Sequence, residues 1–182
     1  MYKRQRTTEE VRAFVGNGAR RLMERAVPPD VTGGAFEAVL AEYREWYQAH
    51  NCVDTAPYPG IPALLDALAA AGVKTAVVSN KPDATTKALA ARFFPGLPAF
   101  GQRDDVPPKP APDLVFRALE TLGEDAADAV YVGDSEVDVA TARNAGLPLA
   151  AVSWGFRGRQ ALAESGAADI VDTAEQLLAK LL

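Results

Sequence analysis

The sequence predicts an α/β fold in which a parallel sheet is covered by helices on both sides. From about Asp54 onward, helical and strand patterns alternate along the chain, and such alternation is typical of parallel sheets. The strand patterns are short apolar runs, such as Ala76 to Val78 and Ala129 to Val132, which suit burial on both faces. The first fifty residues carry helical patterns instead. We therefore expect an all-helical unit followed by an α/β core.

Three helices are predicted in the first unit. Thr7 and Glu10 have the spacing of a capping box, so a first helix should begin there. A second helix is predicted from Ala19 to Ala26, because two prolines follow it. A third lies between Gly34 and about Asn51, where apolar residues recur at helical spacing. We expect that stripe to face the core: Phe36, Val39, Leu40, Tyr43, Trp46 and Tyr47.

The segment Gly16-Asn17-Gly18 interrupts the helical pattern between the first two helices. Two glycines around an asparagine could let backbone N–H groups approach an anion. A plain turn between helices explains the same residues equally well. The sequence leaves both interpretations open.

A change of composition separates the two units. Three prolines and a glycine occur between Asp54 and Pro62, and such clusters are typical of a junction. We therefore predict a partial helical cap at 1–53 and a core at 54–182.

The core pattern predicts six helices and five strands, with glycines at the helix ends where left-handed caps are favoured. The predicted helices are Ile61 to Ala71, Thr85 to Phe94, Pro112 to Leu122, Asp138 to Ala145, Gln160 to Glu164 and Thr173 to Leu182. The predicted strands are Lys74 to Ser79, Pro98 to Gly101, Ala129 to Val132, Leu149 to Val152 and Asp169 to Val171.

Composition and charge narrow the classes of function. The net charge of -5 argues against a broad nucleic-acid surface, which would need a basic patch. The single cysteine, Cys52, excludes an internal disulfide framework and suits a reducing compartment. No apolar run is long enough to cross a bilayer, and no signal peptide is visible. We therefore expect a cytoplasmic protein that binds neither nucleic acid nor membrane; no oligomeric state is predicted.

The run Ala129 to Val132 ends in Gly133 and Asp134, and Asp138 follows four residues later. In open α/β sheets, ligands bind outside the carboxyl ends of the strands. A carboxylate at that position therefore indicates chemistry. The alternative is a helix N-cap, because Asp134 and Ser135 precede a helical pattern and both residue types cap well.

Two further segments place polar groups at the ends of strands or in loops. Ser79, Asn80 and Lys81 end the predicted strand at Lys74 to Ser79, and Lys109 lies in a proline-rich loop. A hydroxyl and an ammonium can bind anionic oxygens, while the carboxylates of Asp134 and Asp138 suit a hard cation. Each element alone is weak, but together they predict a phosphate and Mg²⁺ site.

These motifs resemble those of the haloacid dehalogenase superfamily of phosphatases. Val77 to Lys81, Lys109 to Pro112, and Val132 to Ser135 with Asp138 look like its second, third and fourth motifs. Four other segments resemble the phosphoglycolate phosphatase branch: Val15 to Ala19, Pro57 to Gly60, Asp104 to Pro107, and Trp154-Gly155. The similarity covers nearly all of the chain from about Thr7.

The resemblance implies a Rossmann-like core with a helical cap and Mg²⁺-dependent hydrolysis through an aspartyl-phosphate. By position, Ser79 and Asn80 would hold phosphoryl oxygens, and Lys109 would stabilise charge. Asp134 would bind Mg²⁺ directly or through water, with Asp138 in support. Gly16, Asn17 and Gly18 would lie near the organic end of the substrate.

One family motif is absent from this sequence. The family begins with a strand that ends in Asp-x-Asp-Gly-Thr, whose first aspartate attacks phosphorus, and no Asp-x-Asp pair occurs here. By the same resemblance, the missing strand lies at the centre of the sheet, between the strands that end at Ser79 and Asp134. Unpaired backbone groups along those strands would cost on the order of 1 to 3 kcal/mol each. We expect the two strands either to pair directly or to leave the chain poorly stable.

The leading hypothesis is an N-terminally truncated phosphatase in which Met1 to Gln5 is an unnatural or mispredicted start. The intact parent would hydrolyse a small phosphorylated metabolite, with 2-phosphoglycolate as the favoured substrate, and the chain alone would be inactive. Other phosphatases or phosphomutases of the superfamily stay possible. The alternative class is a non-catalytic fragment that binds phosphate or a partner.

Overall fold

The computed structural model describes residues 5–182, so most of the predicted unnatural start lies outside the described residues. Three helices come first: α1 (Thr8–Phe14), α2 (Gly18–Ala26) and α3 (Gly33–His50). Thr7 and Glu10 form the predicted capping box. The stripe of α3 is only partly core, because Phe36 and Leu40 are buried whereas Trp46 is 57% exposed. The assignment of Trp46 to the core was therefore wrong.

The remaining elements alternate as predicted for an α/β fold. The strands are β1 (Val77–Pro82), β2 (Ala99–Gln102), β3 (Tyr131–Gly133), β4 (Leu149–Val152) and β5 (Ile170–Val171). The helices are α4 (Ile61–Ala70), α5 (Asp83–Phe93), α6 (Asp113–Leu122), α7 (Glu136–Ala145), α8 (Gly158–Glu164) and α9 (Ala174–Leu181), and one 3₁₀ turn spans Ala126–Asp128. No helix in residues 5–182 has both the length and the apolarity to span a bilayer.

The parallel strands form two sheets. β1 pairs with β2, whereas β3, β4 and β5 form a second sheet in that order. β1 and β3 are not hydrogen-bonded to each other. Direct pairing of these two strands, one of the two outcomes expected from the sequence, is therefore not what the described residues show.

Helices cover both faces of the larger sheet. Because side chains alternate along a strand, Ala150 and Val152 of β4 face Leu64 of α4 and Leu177 of α9. Ala151 between them faces the other side, where Leu162 of α8 packs. Both alanines are completely buried, so the core of this sheet is continuous across β4.

The strands β1 and β3 border the gap between the two sheets, and both are less buried than the sequence predicts. β1 begins at Val77 rather than Lys74 and continues to Pro82, and Val77, Val78 and Ser79 are only half-buried. Val130 and Val132 are 45% and 41% exposed. The expected burial on both faces was therefore wrong for these two strands. The physical reason is that each of them has a sheet neighbour on one side only.

Candidate active site

Lys109 connects the two sheets at the gap between them. Its Nζ donates to the carbonyl oxygen of Val78 on β1 at 3.3 Å, to the Tyr131 hydroxyl on β3 at 3.1 Å, and to Oδ1 of Asp138 on α7 at 2.8 Å. The side chain is 10% exposed. A buried ammonium is thus held by one group from the first sheet, one from the second and one from a helix.

Electrostatics fix the protonation of this cluster. Burial lowers the pKa of Lys109, but Tyr131 and Asp138 outweigh it and raise the pKa of the ammonium to about 12. For Asp138, burial raises the pKa, whereas Lys109 and the Ser135 hydroxyl lower it, and the net shift is downward. Burial raises the pKa of Tyr131 to about 12. At neutral pH the cluster therefore holds a cation, a carboxylate and a neutral phenol.

Both oxygens of Asp138 accept hydrogen bonds from the protein. Oδ1 accepts from Lys109 and from the Tyr131 hydroxyl, the latter at 3.2 Å. Oδ2 accepts from the Ser135 hydroxyl at 2.7 Å and from the backbone N–H of Asp134 at 3.2 Å. The residue is only 5% exposed. This geometry suits a carboxylate that positions Lys109 better than one that binds a metal directly.

The carboxylate of Asp134 accepts fewer hydrogen bonds from the described residues than that of Asp138. Among the described residues, one N–H from a neighbour, that of Phe156, donates to its Oδ2 at 2.8 Å. Burial raises the pKa of Asp134, so this carboxylate carries a desolvation penalty. A cation at this position would relieve that penalty. Asp134 is consequently the better of the two carboxylates for binding a metal.

Two glycines allow the carboxylates to approach the backbone. A Cβ on Gly133 would overlap the side chain of Asp138, and a Cβ on Gly155 would overlap that of Asp134. The segment after β4 therefore closes on Asp134 through a glycine and the N–H of Phe156. Ser135 is the N-cap of α7 and accepts from the N–H of Asp138. Capping in this loop thus belongs to Ser135, which leaves Asp134 for another role.

The side chain of Asn80 organises the loop that carries Lys109. Its Oδ1 accepts from the backbone N–H of Lys109 at 2.8 Å, and its Nδ2 donates to the carbonyl oxygens of Lys109 and Gly16 at 3.0 and 3.1 Å. Asn80 is 6% exposed. Because the amide is fully used, only the backbone N–H of Asn80 is suited to hold a phosphoryl oxygen. The Ser79 hydroxyl accepts from the N–H of Lys81 at 3.1 Å and keeps its own proton to donate.

The loop from Gly16 to Gly18 lies against the end of the first sheet. Gly16 is bound by Asn80, and a Cβ on Gly18 would meet the side chain of Gln102 at 2.7 Å. Arg157 holds the end of α1, since its guanidinium donates to the carbonyl oxygens of Arg12 and Val15 at 3.0 and 2.6 Å. The same guanidinium pairs with Glu136 on α7 at 2.8 Å. The loop between α1 and α2 is therefore fixed between Asn80 and Arg157.

The donor set offers part of a metal site. In residues 5–182, no group of three or more His, Cys, Asp and Glu side chains lies close enough together to enclose a metal ion. Asp134 fits a hard cation as one oxygen ligand, and further oxygen ligands would have to come from water, substrate or another segment. The described residues thus supply one candidate ligand and its supporting contacts.

The structure brings together several of the residues predicted from the sequence, and it adds others. Lys109, Asp138 and Asp134 lie in one network, and Asn80 joins that network through the backbone of Lys109. The roles of these residues in binding phosphate and Mg²⁺ stay predictions. Tyr131 was missed because a tyrosine within a strand was counted as apolar. Arg157 was missed because two of its partners, Arg12 and Val15, lie more than 140 residues away in the sequence.

Comparisons with known proteins show which family the chain resembles. A family model described as haloacid dehalogenase-like hydrolase matches residues 2–146. The chain is 35% identical over 172 residues to a phosphoglycolate phosphatase from Rhodospirillum rubrum, with 89% of this chain and 71% of that protein covered. It is 32% identical over 182 residues to a phosphoglycolate phosphatase from Pseudomonas syringae pv. syringae, covering 93% of this chain and 65% of that protein. The chain therefore spans about two thirds of these relatives.

Two solved structures are also similar to this chain. A protein from Lactobacillus delbrueckii subsp. bulgaricus, assigned to the phosphoglycolate phosphatases, superposes with a TM-score of 0.90 at 35% identity. The superposition covers 98% of this chain and 84% of that one. A protein from Haemophilus somnus 129PT, described as a predicted phosphoglycolate phosphatase, matches with a TM-score of 0.87 at 25% identity. The arrangement of helices and strands in this chain is thus found within these longer chains.

Proposed function

The chain belongs to the haloacid dehalogenase-like hydrolases and, within them, to the phosphatases, and from that premise we propose that it forms most of a Mg²⁺-dependent phosphomonoesterase site. The proposed substrate is a small phosphorylated acid, 2-phosphoglycolate being favoured by the names of the relatives. The proposed chemistry is transfer of the phosphoryl group to an aspartate followed by hydrolysis. That aspartate is not in this sequence, which lacks an Asp-x-Asp pair.

The observation that carries this proposal is the position of Lys109. A buried ammonium that bridges β1 and β3 and is held protonated by Asp138 and Tyr131 provides a fixed positive charge for an anionic group. Preorganised charges of this kind stabilise a transition state without reorganising during the reaction. We assign Lys109 to charge stabilisation between phosphate and nucleophile.

The remaining residues receive roles that match their contacts. The Ser79 hydroxyl and the backbone N–H of Asn80 would bind phosphoryl oxygens, and Asp134 would bind Mg²⁺ directly or through water. Bound Mg²⁺ supplies electrostatic stabilisation to anionic oxygens. Asp138 would act in support by positioning Lys109, and Gly16, Asn17 and Gly18 would lie near the organic end of the substrate. The division into a cap at 1–53 and a core at 54–182 belongs to the same proposal.

A second candidate function has its own observation. Because no Asp-x-Asp pair is present while Lys109 and its partners are in place, the chain by itself would bind phosphate without turning it over. Another phosphatase or phosphomutase activity of the same superfamily is the other alternative, since the cap is expected to govern the choice of substrate.

Hydrolysis of p-nitrophenyl phosphate and of 2-phosphoglycolate with Mg²⁺ tests the proposal. The 182-residue chain should show no turnover, whereas the same chain preceded by an apolar strand ending in Asp-x-Asp-Gly-Thr should hydrolyse both. In the lengthened chain, Asp134→Asn should lower kcat/KM by about a hundredfold or more. The control Asp66→Asn, an exposed carboxylate on α4, should leave it unchanged.

Two results would overturn this assignment. Turnover by the 182-residue chain that Asp134→Asn abolishes would show that no further nucleophile is needed. A lengthened chain that is folded by circular dichroism but inactive would contradict the phosphatase function. In that case, phosphate binding by the shorter chain, measured by calorimetry, would favour the non-catalytic alternative.

A further inference from the structure

The segment that follows β4 contacts both Asp134 and the first helix. The backbone N–H of Phe156 donates to Oδ2 of Asp134 at 2.8 Å. Gly155, the residue before it, packs so closely on Asp134 that a Cβ would overlap the carboxylate. Arg157, the residue after it, directs its guanidinium to the end of α1. Three successive residues therefore connect the side chain of Asp134 to α1.

All three nitrogens of the Arg157 guanidinium donate hydrogen bonds. Nη1 donates to the carbonyl oxygen of Arg12 at 3.0 Å, and Nη2 donates to that of Val15 at 2.6 Å. On the other side, Nε and Nη2 donate to the carboxylate oxygens of Glu136, the first residue of α7, at 2.8 and 3.2 Å. The side chain is 13% exposed. Because a guanidinium presents its donors in a rigid plane, Arg157 fixes the end of α1 relative to the start of α7.

The end of α1 needs such a donor. The last carbonyl groups of a helix have no partner within that helix, and a cation is favoured beside them. α1 has seven residues, a length at which a helix depends on contacts with the rest of the protein. Gly16 follows with a φ of +120°, and a Cβ there would lie 3.3 Å from Nη2 of Arg157. The backbone after α1 thus leaves the space that Arg157 occupies.

Other contacts hold the same region without the segment after β4. Asn80 on β1 donates its Nδ2 to the carbonyl oxygen of Gly16 at 3.1 Å, and Arg25 on α2 donates to the carbonyl oxygen of Phe14 at 3.2 Å. These two contacts would remain if Arg157 were replaced. Loss of Arg157 should therefore loosen α1 without releasing it completely.

We propose that Arg157 is a positioning residue that couples the side chain of Asp134 to the placement of α1. Asp134 holds the backbone of Phe156, Phe156 is covalently joined to Arg157, and Arg157 holds α1. Such a coupling is reciprocal, so a change at either end alters the other. The inference goes beyond the proposed phosphatase function, because that function gives no role to Arg157 or α1 and the contacts form without a bound cation.

A cation at Asp134 should strengthen this coupling. Oδ2 accepts from Phe156, whereas among the described residues no neighbouring group donates to Oδ1. A cation bound through Oδ1 would fix the carboxylate and with it the N–H of Phe156, so that α1 is held more firmly. This consequence alone rests on the proposed function, which assigns a cation to Asp134.

Amide hydrogen exchange of the 182-residue chain, measured by NMR without metal, tests the coupling. Arg157→Gln should speed exchange in the last turn of α1 about tenfold relative to Ala118 in α6, which corrects for any change in global stability. Asp134→Ala removes the acceptor of the Phe156 N–H. It should speed the same amides of α1 about threefold.

Arg159→Gln is the matched control, because Arg159 is close in the chain but pairs with the exposed Asp172. It should change exchange in α1 by less than about twofold. Mg²⁺, added until the amide shift of Asp134 no longer changes, should slow exchange in α1 about threefold in the wild-type chain. In Arg157→Gln and in Asp134→Ala, Mg²⁺ should leave exchange in α1 unchanged.

Contrary outcomes separate this proposal from the proposed function. Equal exchange in α1 of the wild type and Arg157→Gln would overturn the proposal, because Arg157 would then not hold α1. Unchanged exchange in Asp134→Ala would also overturn it, since Arg157 would be a structural contact without coupling. Slowing of α1 by Mg²⁺ in Arg157→Gln would show a different route and would have the same effect. If Mg²⁺ shifts no amide at Asp134 while the metal-free variants behave as expected, the proposed function loses its cation and the coupling stands.

Discussion

At the scale of single residues, the ion pair between Lys109 and Asp138 is the most consequential contact of the molecule. Both side chains are almost fully buried, at 10% and 7% exposure. A buried charge is tolerated only when it is paired and hydrogen-bonded. Tyr131 and Ser135 supply those additional hydrogen bonds to Asp138. The pair therefore costs little in the folded state as long as both partners are present.

Removal of one partner should be strongly destabilising. We expect Asp138→Asn to lower the free energy of unfolding by about 3 kcal/mol, because it leaves the ammonium of Lys109 buried without a counter-charge. Urea denaturation measures this change. The double variant Asp138→Asn with Lys109→Met should recover part of the loss, since the uncompensated charge is gone. Asp105→Asn, which breaks the exposed pair with Arg103, serves as the control and should change little; equal stability of wild type and Asp138→Asn would contradict the argument.

At the scale of elements, Asp83 joins α5 to the neighbouring strand. It lies in the first turn of α5, where a carboxylate is favoured by the helix dipole. Its Oδ1 accepts from the backbone N–H of Gly101 on β2 at 3.0 Å, and its Oδ2 pairs with Lys87 at 2.7 Å. Gly101 is required for this approach, because a Cβ there would overlap the backbone of Asp83. The register between α5 and β2 thus depends on one carboxylate and one glycine.

This contact should make stability depend on pH. Burial raises the pKa of Asp83, but the hydrogen bonds from Lys87 and Gly101 outweigh it and lower the pKa below its ordinary value. A carboxyl group with a lowered pKa in the folded state stabilises the protein above its unfolded pKa, and this stabilisation is lost as pH falls through the folded pKa. Asp83→Asn should therefore cost about 1 kcal/mol near pH 7, and the difference from wild type should disappear in acid.

Denaturation of both proteins across the acidic range measures that difference. Asp113→Asn is a matched control, because Asp113 is also an acid in the first turn of its helix but is exposed. Its effect should be small at every pH. A difference between wild type and Asp83→Asn that is constant with pH would show that the carboxylate charge is not involved.

Local signals explain which elements could be predicted from the sequence. The capping box at Thr7 and the glycine that ends α6 are both contained within a few residues, and the structure confirms both. The exposure of Trp46 could not be predicted in this way, because helical spacing identifies an apolar stripe but not which parts of it other elements cover. The start of β1 was placed three residues early for a related reason, since pairing with β2 rather than the apolar run determines where the strand begins.

At the scale of the whole molecule, the predicted single sheet is divided into two. The alternation of helices and strands correctly predicted the α/β class, and a strand just before Asp134 was also predicted. The network around Lys109 was not predictable in detail. Tyr131 and Val78 enter it only because the two sheets face each other, and no local pattern contains that information. The same holds for Arg157, which meets the end of α1 through tertiary contacts.

The facing edges of the two sheets lead to the last prediction. Tyr131 donates its N–H to Pro148 beside β4, and Val77 donates to Pro98 beside β2. Since backbone groups of successive strand residues point to opposite sides, the N–H groups of Val132 and Val78 point toward the gap. The Val78 carbonyl does accept there from Lys109. By contrast, Ala151 lies in the centre of the larger sheet and donates to Asp169.

Amide hydrogen exchange measured by NMR should therefore separate these positions. In the 182-residue chain, the amides of Val78 and Val132 should exchange at least about a hundredfold faster than that of Ala151, because only Ala151 is held in a paired ladder. Addition of the apolar strand used to test the proposed function should slow exchange at Val78 and Val132 and leave Ala151 almost unchanged. Exchange at Val78 and Val132 as slow as at Ala151 in the chain alone would show that β1 and β3 pair directly in solution, and the gap beside Lys109 would then not be an acceptor for another strand.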